Sequence, residues 1–305
     1  MTRVSYFFVL ALLLTGFNGC KKTETTQPKL IFKFKFDQAQ ARYDSFGNLQ
    51  TSLPAGHAGQ SPTFNAMSAH YIELSKTQWD SVGKGTVLYL APEVTTGGAK
   101  AIDFSKSVFA KDGETFYSVN LKDVTPGDYE YLRVSLAYQN YTVSMNIDTT
   151  WGGYPVHQQF PATIASFIGY NTYITSYQVN TQSIGVNGNR KQGYWGFESP
   201  INIPPYYNNT FVDSGQAPGV TTVVNPIFAT SPIPSGSCLV TGSFSSDKLH
   251  ITGTETKDVV VTVSLSTNKS FEWIEQGTPD NKWSPLKGEV IVDMGIRGMI
   301  PSAQY

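Results

Sequence analysis

Two histidines and a methionine fall close together in the stretch GHAGQSPTFNAMSAHY: His57, Met67 and His70. Imidazole nitrogen and thioether sulfur suit copper in an oxidising compartment, so this trio is a candidate copper site. Two imidazoles and a thioether fall short of a closed four-ligand set unless the fold adds a donor. A structural role for both histidines is therefore the first reading and copper the second. His157 in YPVHQQF and His250 in KLHITG have no partner at ligand spacing. Asp123 and Asp128 lie around a proline-glycine turn, where aspartates serve as turn formers. In EWIEQGTPDNKWSPLKGE, residues 272–289, Glu275, Asp280 and Asn281 crowd oxygen donors together. The alternating acidic spacing and central glycine of an EF-hand are absent, so the segment reads as a polar hairpin turn.

Catalytic signatures are missing. No HExxH, GxSxG, GxxxxGK[ST] or paired CxxC occurs, and the chain reads as non-enzymatic. Aromatic residues offer a different chemistry. From Trp151 to Phe211, thirteen of 61 residues are aromatic, against 13% for the whole chain. WGGY (151–154), GYWG (193–196) and IPPYYNNT (203–210) set large rings beside glycines and prolines in segments that read as loops. Trp151, Trp195, Tyr206 and Tyr207 are therefore the candidate ligand-binding residues. Such rings give contact area at low entropic cost, and neighbouring Asn and Gln can hydrogen-bond hydroxyls, a combination that suits glycans or a partner protein.

Cys20 carries a third chemistry. Arg3 precedes a nine-residue apolar run, Tyr6 to Leu14, and Gly16, Asn18 and Gly19 lead into the cysteine. Charge, short apolar core and small residues form the order of a secretory signal, too short to span a bilayer. A run ending in Gly-Cys resembles a bacterial lipoprotein signal, with residues 1–19 removed and Cys20 acylated; Phe17 departs from the usual aliphatic residue there. Only two cysteines occur, Cys20 and Cys238, so a disulfide framework is not expected. Several acyl chains at about 0.8 kcal/mol per buried methylene give a stable anchor. Lys21 and Lys22 after the cysteine favour the outer membrane over inner-membrane retention. Residues 20–28 then form a polar tether ending at Pro28.

The elements that must position these residues show a period of two. In LIFKFKFD, Phe32, Phe34 and Phe36 fall on one face and Lys33 and Lys35 on the other. Leu132, Val134, Leu136 and Tyr138 are expected to share one face of a strand, as are Val143, Met145 and Ile147. DVVVTVSLST and GEVIVDMGIRGMI repeat the alternation near the end, and no amphipathic helix of ordinary length is evident. The expected fold is all-β, an antiparallel sandwich in one large domain or two packed subdomains. A composition shift near Asp148 to Tyr154 divides 29–148, the first β-sandwich region, from 149–305, a second β-rich region with aromatic loops. Asn202 to Ser237 reads as irregular.

FKFKFD (32–37), AHYIELS (69–75) and VTPGDYEYLRVSLAY (124–138) resemble segments of the MbnP-like periplasmic β proteins, exported partners of copper-metallophore cassettes. The resemblance covers about a third of the chain and lies in strand-and-turn patterns rather than metal ligands. It implies a β fold and export, and it supports copper at His57, Met67 and His70.

Net charge is −1 and charged residues make up 15%, without a basic stripe, so nucleic acid is not an expected partner. The expectation is a lipid-anchored outer-membrane binding protein for glycans. A copper-handling lipoprotein or an assembly lipoprotein contacting another envelope protein are the alternatives.

Overall fold

The computed structural model describes residues 27–43, 48–217, 238–245 and 247–305, with only the backbone of Trp151 and Cys238. Cys20, the signal segment and most of the tether lie outside the described residues. Strands hold 59% of the structure and no helix among the described residues reaches seven residues, far from the mixed content of an average domain. The all-β expectation is met. No helix among the described residues is long and apolar enough to cross a membrane.

Twenty strands are described, from β1 (Lys29–Asp37) to β20 (Met299–Gln304). The alternating phenylalanines do what their spacing predicts: Leu30, Phe32 and Phe34 are fully buried, and Phe36 packs against the same core. Burying each such ring is worth about 1.5–3 kcal/mol. β1 pairs antiparallel with β7 (Thr115–Asn120) and parallel with β17 (Val259–Ser266), and β20 closes the far edge. The β1–β17 pair departs from the all-antiparallel expectation. Its two strands lie over 200 residues apart and are clamped at one end by the Lys29 amide donating to Asp258 Oδ1 at 2.8 Å.

Facing this four-stranded sheet is a larger curled sheet. Its order is β14 (Tyr207–Gln216), β13 (Tyr194–Ile203), β10 (Tyr154–Phe167), β9 (Tyr131–Trp151), β3 (Thr63–Ser75) and β4 (Thr86–Leu90), with β15 (Cys238–Ser243) also pairing β9. Nine consecutive residues of β3, Met67 to Ser75, are buried, so both faces of the sheet are covered there. One face meets β1 and β17 through Met67, Ile72, Leu132 and Val134. The other meets a small sheet containing β11 (Asn171–Gln178) and β12 (Ser183–Lys191), through Tyr138, Phe167, Ile174, Tyr177 and Tyr194.

Tyr138 is therefore not on the face of Leu132, Val134 and Leu136. Ser68 opposes Tyr138 and Ala69 opposes Leu136, which leaves Ala137 as an extra residue on β9. The Ala137 carbonyl instead accepts from the amides of Ile168 and Gly169, at 2.9 and 3.0 Å. Such a bulge reverses the alternation. Beyond it Tyr141, Val143, Met145 and Ile147 return to the main core and Tyr138 turns to the second one.

The division at 148/149 falls inside β9, a single 21-residue strand. Strands of both halves also share sheets: β1 with β17, and β2 (His57–Gln60) with β18 (Phe271–Ile274). The composition shift marks the tip of a hairpin rather than a seam. The described part of the segment expected to be irregular, 202–217, is mostly the closing end of a hairpin, β13–β14, registered over ten residue pairs. Residues 218–237 lie outside the described residues.

Candidate functional site

Two hairpins carry the aromatic candidates. β9 and β10 stay in register from Tyr138–Phe167 to Trp151–Tyr154. Gly152 and Gly153, at φ 57° and 88°, make the two-residue turn. Two successive positive φ values suit a turn whose twist matches the strands, and glycine adopts them without strain. β13 and β14 reach Ile203–Tyr207 and are joined by Pro204, Pro205 and Tyr206, with the Tyr206 amide donating to the Ile203 carbonyl at 2.8 Å.

The structure brings these two tips together. The rings of Tyr154 and Tyr206 stack with centroids 4.7 Å apart and planes at 27°. They remain 54% and 43% exposed, so each keeps an outer surface open to solvent. The neighbouring Tyr154 side chain also holds the Tyr206 phenol above its ordinary range. Trp151 lies across the turn from Tyr154, its backbone paired with it. Tyr207, one residue beyond Tyr206, instead packs against the main core.

Trp195 does not join them. It sits near the opposite end of β13, eight residues from Ile203 and about 26 Å away at a strand's rise. Its half-buried ring packs on the core and covers Gly215 of β14, where a Cβ would lie 2.6 Å from the indole. Its contact surface serves the sheet. Tyr154 was missed as an individual residue in the sequence because nothing local shows that positions 154 and 206 meet.

Polar groups line the hairpin stem. Asp148 Oδ1 contacts His157 Nδ1 across the pair at 2.5 Å, and Lys287 Nζ lies 3.3 Å from Asp148 Oδ2. Both partners hold the Asp148 carboxyl below its usual range. Further along, an open cleft of about 370 Å³ is bordered by Gln60, Thr63, Thr142, Ser144 and Gln159 beside Phe160. The Gln60 amide is fixed, bonding the Ser144 carbonyl and amide at 2.8 Å each.

The histidine–methionine trio is dispersed. Met67 is fully buried in the main apolar core. His57 is on β2, its Nδ1 2.5 Å from Glu272 Oε1, while Arg42 engages the other Glu272 oxygen. His70 is 1% exposed and tilts against the Tyr170 ring, 5.5 Å away, beside a small separate cluster of Tyr71, Val82 and Leu239. Its Nε2 lies 3.3 Å from Glu93 Oε1 without hydrogen-bond geometry. Burial pushes the His70 imidazole down to about 4, against the opposing pull of Glu93, so it is neutral near pH 7. Each histidine has its own carboxylate on a different sheet, and the three residues form no common ligand set. Spacing of 13 residues placed them close in sequence, but His57 is on β2, paired with β18, whereas Met67 and His70 are on β3 and pack in different clusters.

On β14, the edge strand of the curled sheet, Phe211 and Val212 are 48% and 38% exposed. No family model, curated protein or solved structure matches the chain.

Proposed function

We propose that this protein is a lipid-anchored binding module of the bacterial outer membrane, held by acylated Cys20, and that its ligand is a glycan. The stacked, exposed Tyr154–Tyr206 pair carries the reading. Two hairpin turns hold the rings in one orientation before any ligand arrives, and preorganised aromatic surface binds with little entropic loss. Glycan-array binding by the intact protein, with Tyr154→Ala and Tyr206→Ala compared against wild type, tests the ligand. Loss of binding in both variants with an unchanged circular-dichroism spectrum is expected, and array binding that survives both refutes the tip as the site. Palmitate labelling tests the anchor: wild type takes up label, and Cys20→Ser loses it along with membrane fractionation.

A second reading has its own observation. β14 leaves one edge without a described partner strand, and its exposed Phe211 and Val212 suit pairing with another envelope protein by strand addition. This assembly role becomes the better account if no glycan binds. Copper handling is the weaker alternative, since His57 and His70 face different carboxylates and Met67 lies in the apolar core.

A further inference from the structure

The loop between β18 and β19 (Val290–Asp293) gathers three carboxylates from separate points along its length. One oxygen each from Glu275, Asp280 and Glu289 lies within 4.8 Å of the other two. A single cation with oxygen contacts of about 2.3–2.6 Å can reach three donors at that spacing.

Glu289 is the telling member. It is 94% buried, with 6% of its surface exposed. Its Oε2 accepts from the Ser284 amide at 2.5 Å, but its Oε1 is buried with no partner. A buried carboxylate oxygen left unmatched beside two further carboxylates is costly. A cation would satisfy that oxygen and offset the repulsion.

The loop is built to hold this geometry. Trp283 is buried edge-on to Phe271, with centroids 4.9 Å apart. Asn146 of β9 ties the loop down twice, its amide donating to the Trp283 carbonyl at 2.7 Å and its side chain to Ser284 Oγ at 3.0 Å. Glu275 is oriented by the Asn281 amide, 2.8 Å from its Oε1. Asp280 is exposed, which leaves an entrance. Lys287 faces the same group, 3.0 Å from Asp280 Oδ2, so three carboxylates are met by one contacting lysine.

We propose that Glu275, Asp280 and Glu289 form a Ca²⁺ site. All donors are hard oxygens, and their irregular placement suits Ca²⁺, which accepts six to eight oxygens in flexible geometry, better than the strict octahedron of Mg²⁺. The site stands independently of the glycan reading.

Calorimetric titration of the full chain, stripped of metal with a chelator, with CaCl₂ and separately with MgCl₂ tests it. One equivalent of Ca²⁺ is expected to bind, more tightly than Mg²⁺ and in or above the affinity range of extracellular modules, about 10⁻⁴–10⁻³ M. Glu289→Gln keeps the shape and removes a repelling charge, so it folds without metal, and its Ca²⁺ affinity is expected to fall at least tenfold. Asp280→Asn, on the exposed side of the loop, is expected to weaken binding in the same direction. No binding heat up to about 10 mM Ca²⁺, a decade above the weakest of that class, would overturn the site. So would wild-type affinity in both variants, and Mg²⁺ binding as tight as Ca²⁺ would overturn the choice of ion.

Discussion

Replacing Glu198 by Gln is expected to loosen the small outer sheet in a pH-dependent way. Glu198 lies on β13, 1% exposed, and reaches into the turn between β11 and β12. Its Oε2 accepts from the amides of Asn180, Thr181 and Gln182 at 2.8, 2.9 and 2.9 Å. Its Oε1 accepts from the Thr181 hydroxyl at 2.5 Å and again from the Thr181 amide at 3.0 Å. Three consecutive N–H groups thus converge on one carboxylate, which ties the β11–β12 hairpin to the curled sheet.

Glutamine keeps one acceptor oxygen, loses the charge, and turns an NH₂ group toward donors. The change weakens every remaining bond and removes about one to two charge-assisted ones, each worth about 1.5–3 kcal/mol, and water at the turn recovers part of the loss. The net cost is about 2–4 kcal/mol near neutral pH. Burial alone would raise the Glu198 carboxyl, but the Thr181 hydroxyl and the three amides outweigh it and hold it below its ordinary 4.5. A carboxyl lowered by folding adds stability that is complete above the unfolded value and is lost as pH falls through the folded one. The wild-type advantage should therefore be full at pH 7 and shrink below about pH 4. Urea denaturation followed by circular dichroism, run on both proteins at pH 7 and at about pH 3, measures the two gaps. A gap under about 1 kcal/mol at pH 7, or one that does not narrow in acid, refutes the reasoning.

Two further substitutions probe the interior. Trp273→Ala removes a fully buried ring that packs on Phe271 with centroids 6.0 Å apart, and a loss of about 3–5 kcal/mol is expected from the urea midpoint. Arg133→Ala leaves Glu73 buried with only the Gly83 and Gly85 amides on its Oε1, at 3.0 and 2.7 Å. It also strands the Gln78 and Asp80 carbonyls that Arg133 Nη2 contacts. Breaking such a buried pair costs about 3–5 kcal/mol, and a thermal midpoint within a degree of wild type would contradict the assigned burial.

Local alternation was enough to read the class of fold. Leu30, Phe32 and Phe34 face the core because side chains on an extended strand point alternately to opposite sides, whatever the strand pairs with. The same rule failed at Tyr138, because the Ala137 bulge is a mismatch between two strands and neither strand encodes it alone. Pairing partners were equally hidden. β1 alternates in the same way beside antiparallel β7 as beside parallel β17, so its period says nothing of direction or neighbour.

The sites divide along the same line. Composition found the aromatic region, and the glycines of WGGY marked 151–154 as a loop, which the structure narrows to a two-residue turn. Which rings meet was decided by the registers of two hairpins, which stack Tyr206 on Tyr154 and leave Trp195 at the other end of its strand. Closeness in sequence suggested His57, Met67 and His70, but β2 and β3 pair with different strands, which separates His57, and on β3 Met67 enters the main core while His70 packs on Tyr170. Glu275 and Asp280 were visible as oxygen donors crowding one loop. Glu289 became part of that cluster only because Trp283 and Asn146 fold the loop back on itself and bury its carboxylate. Side-chain chemistry is written residue by residue, whereas convergence depends on contacts between segments far apart in the chain, and only the tertiary structure supplies those.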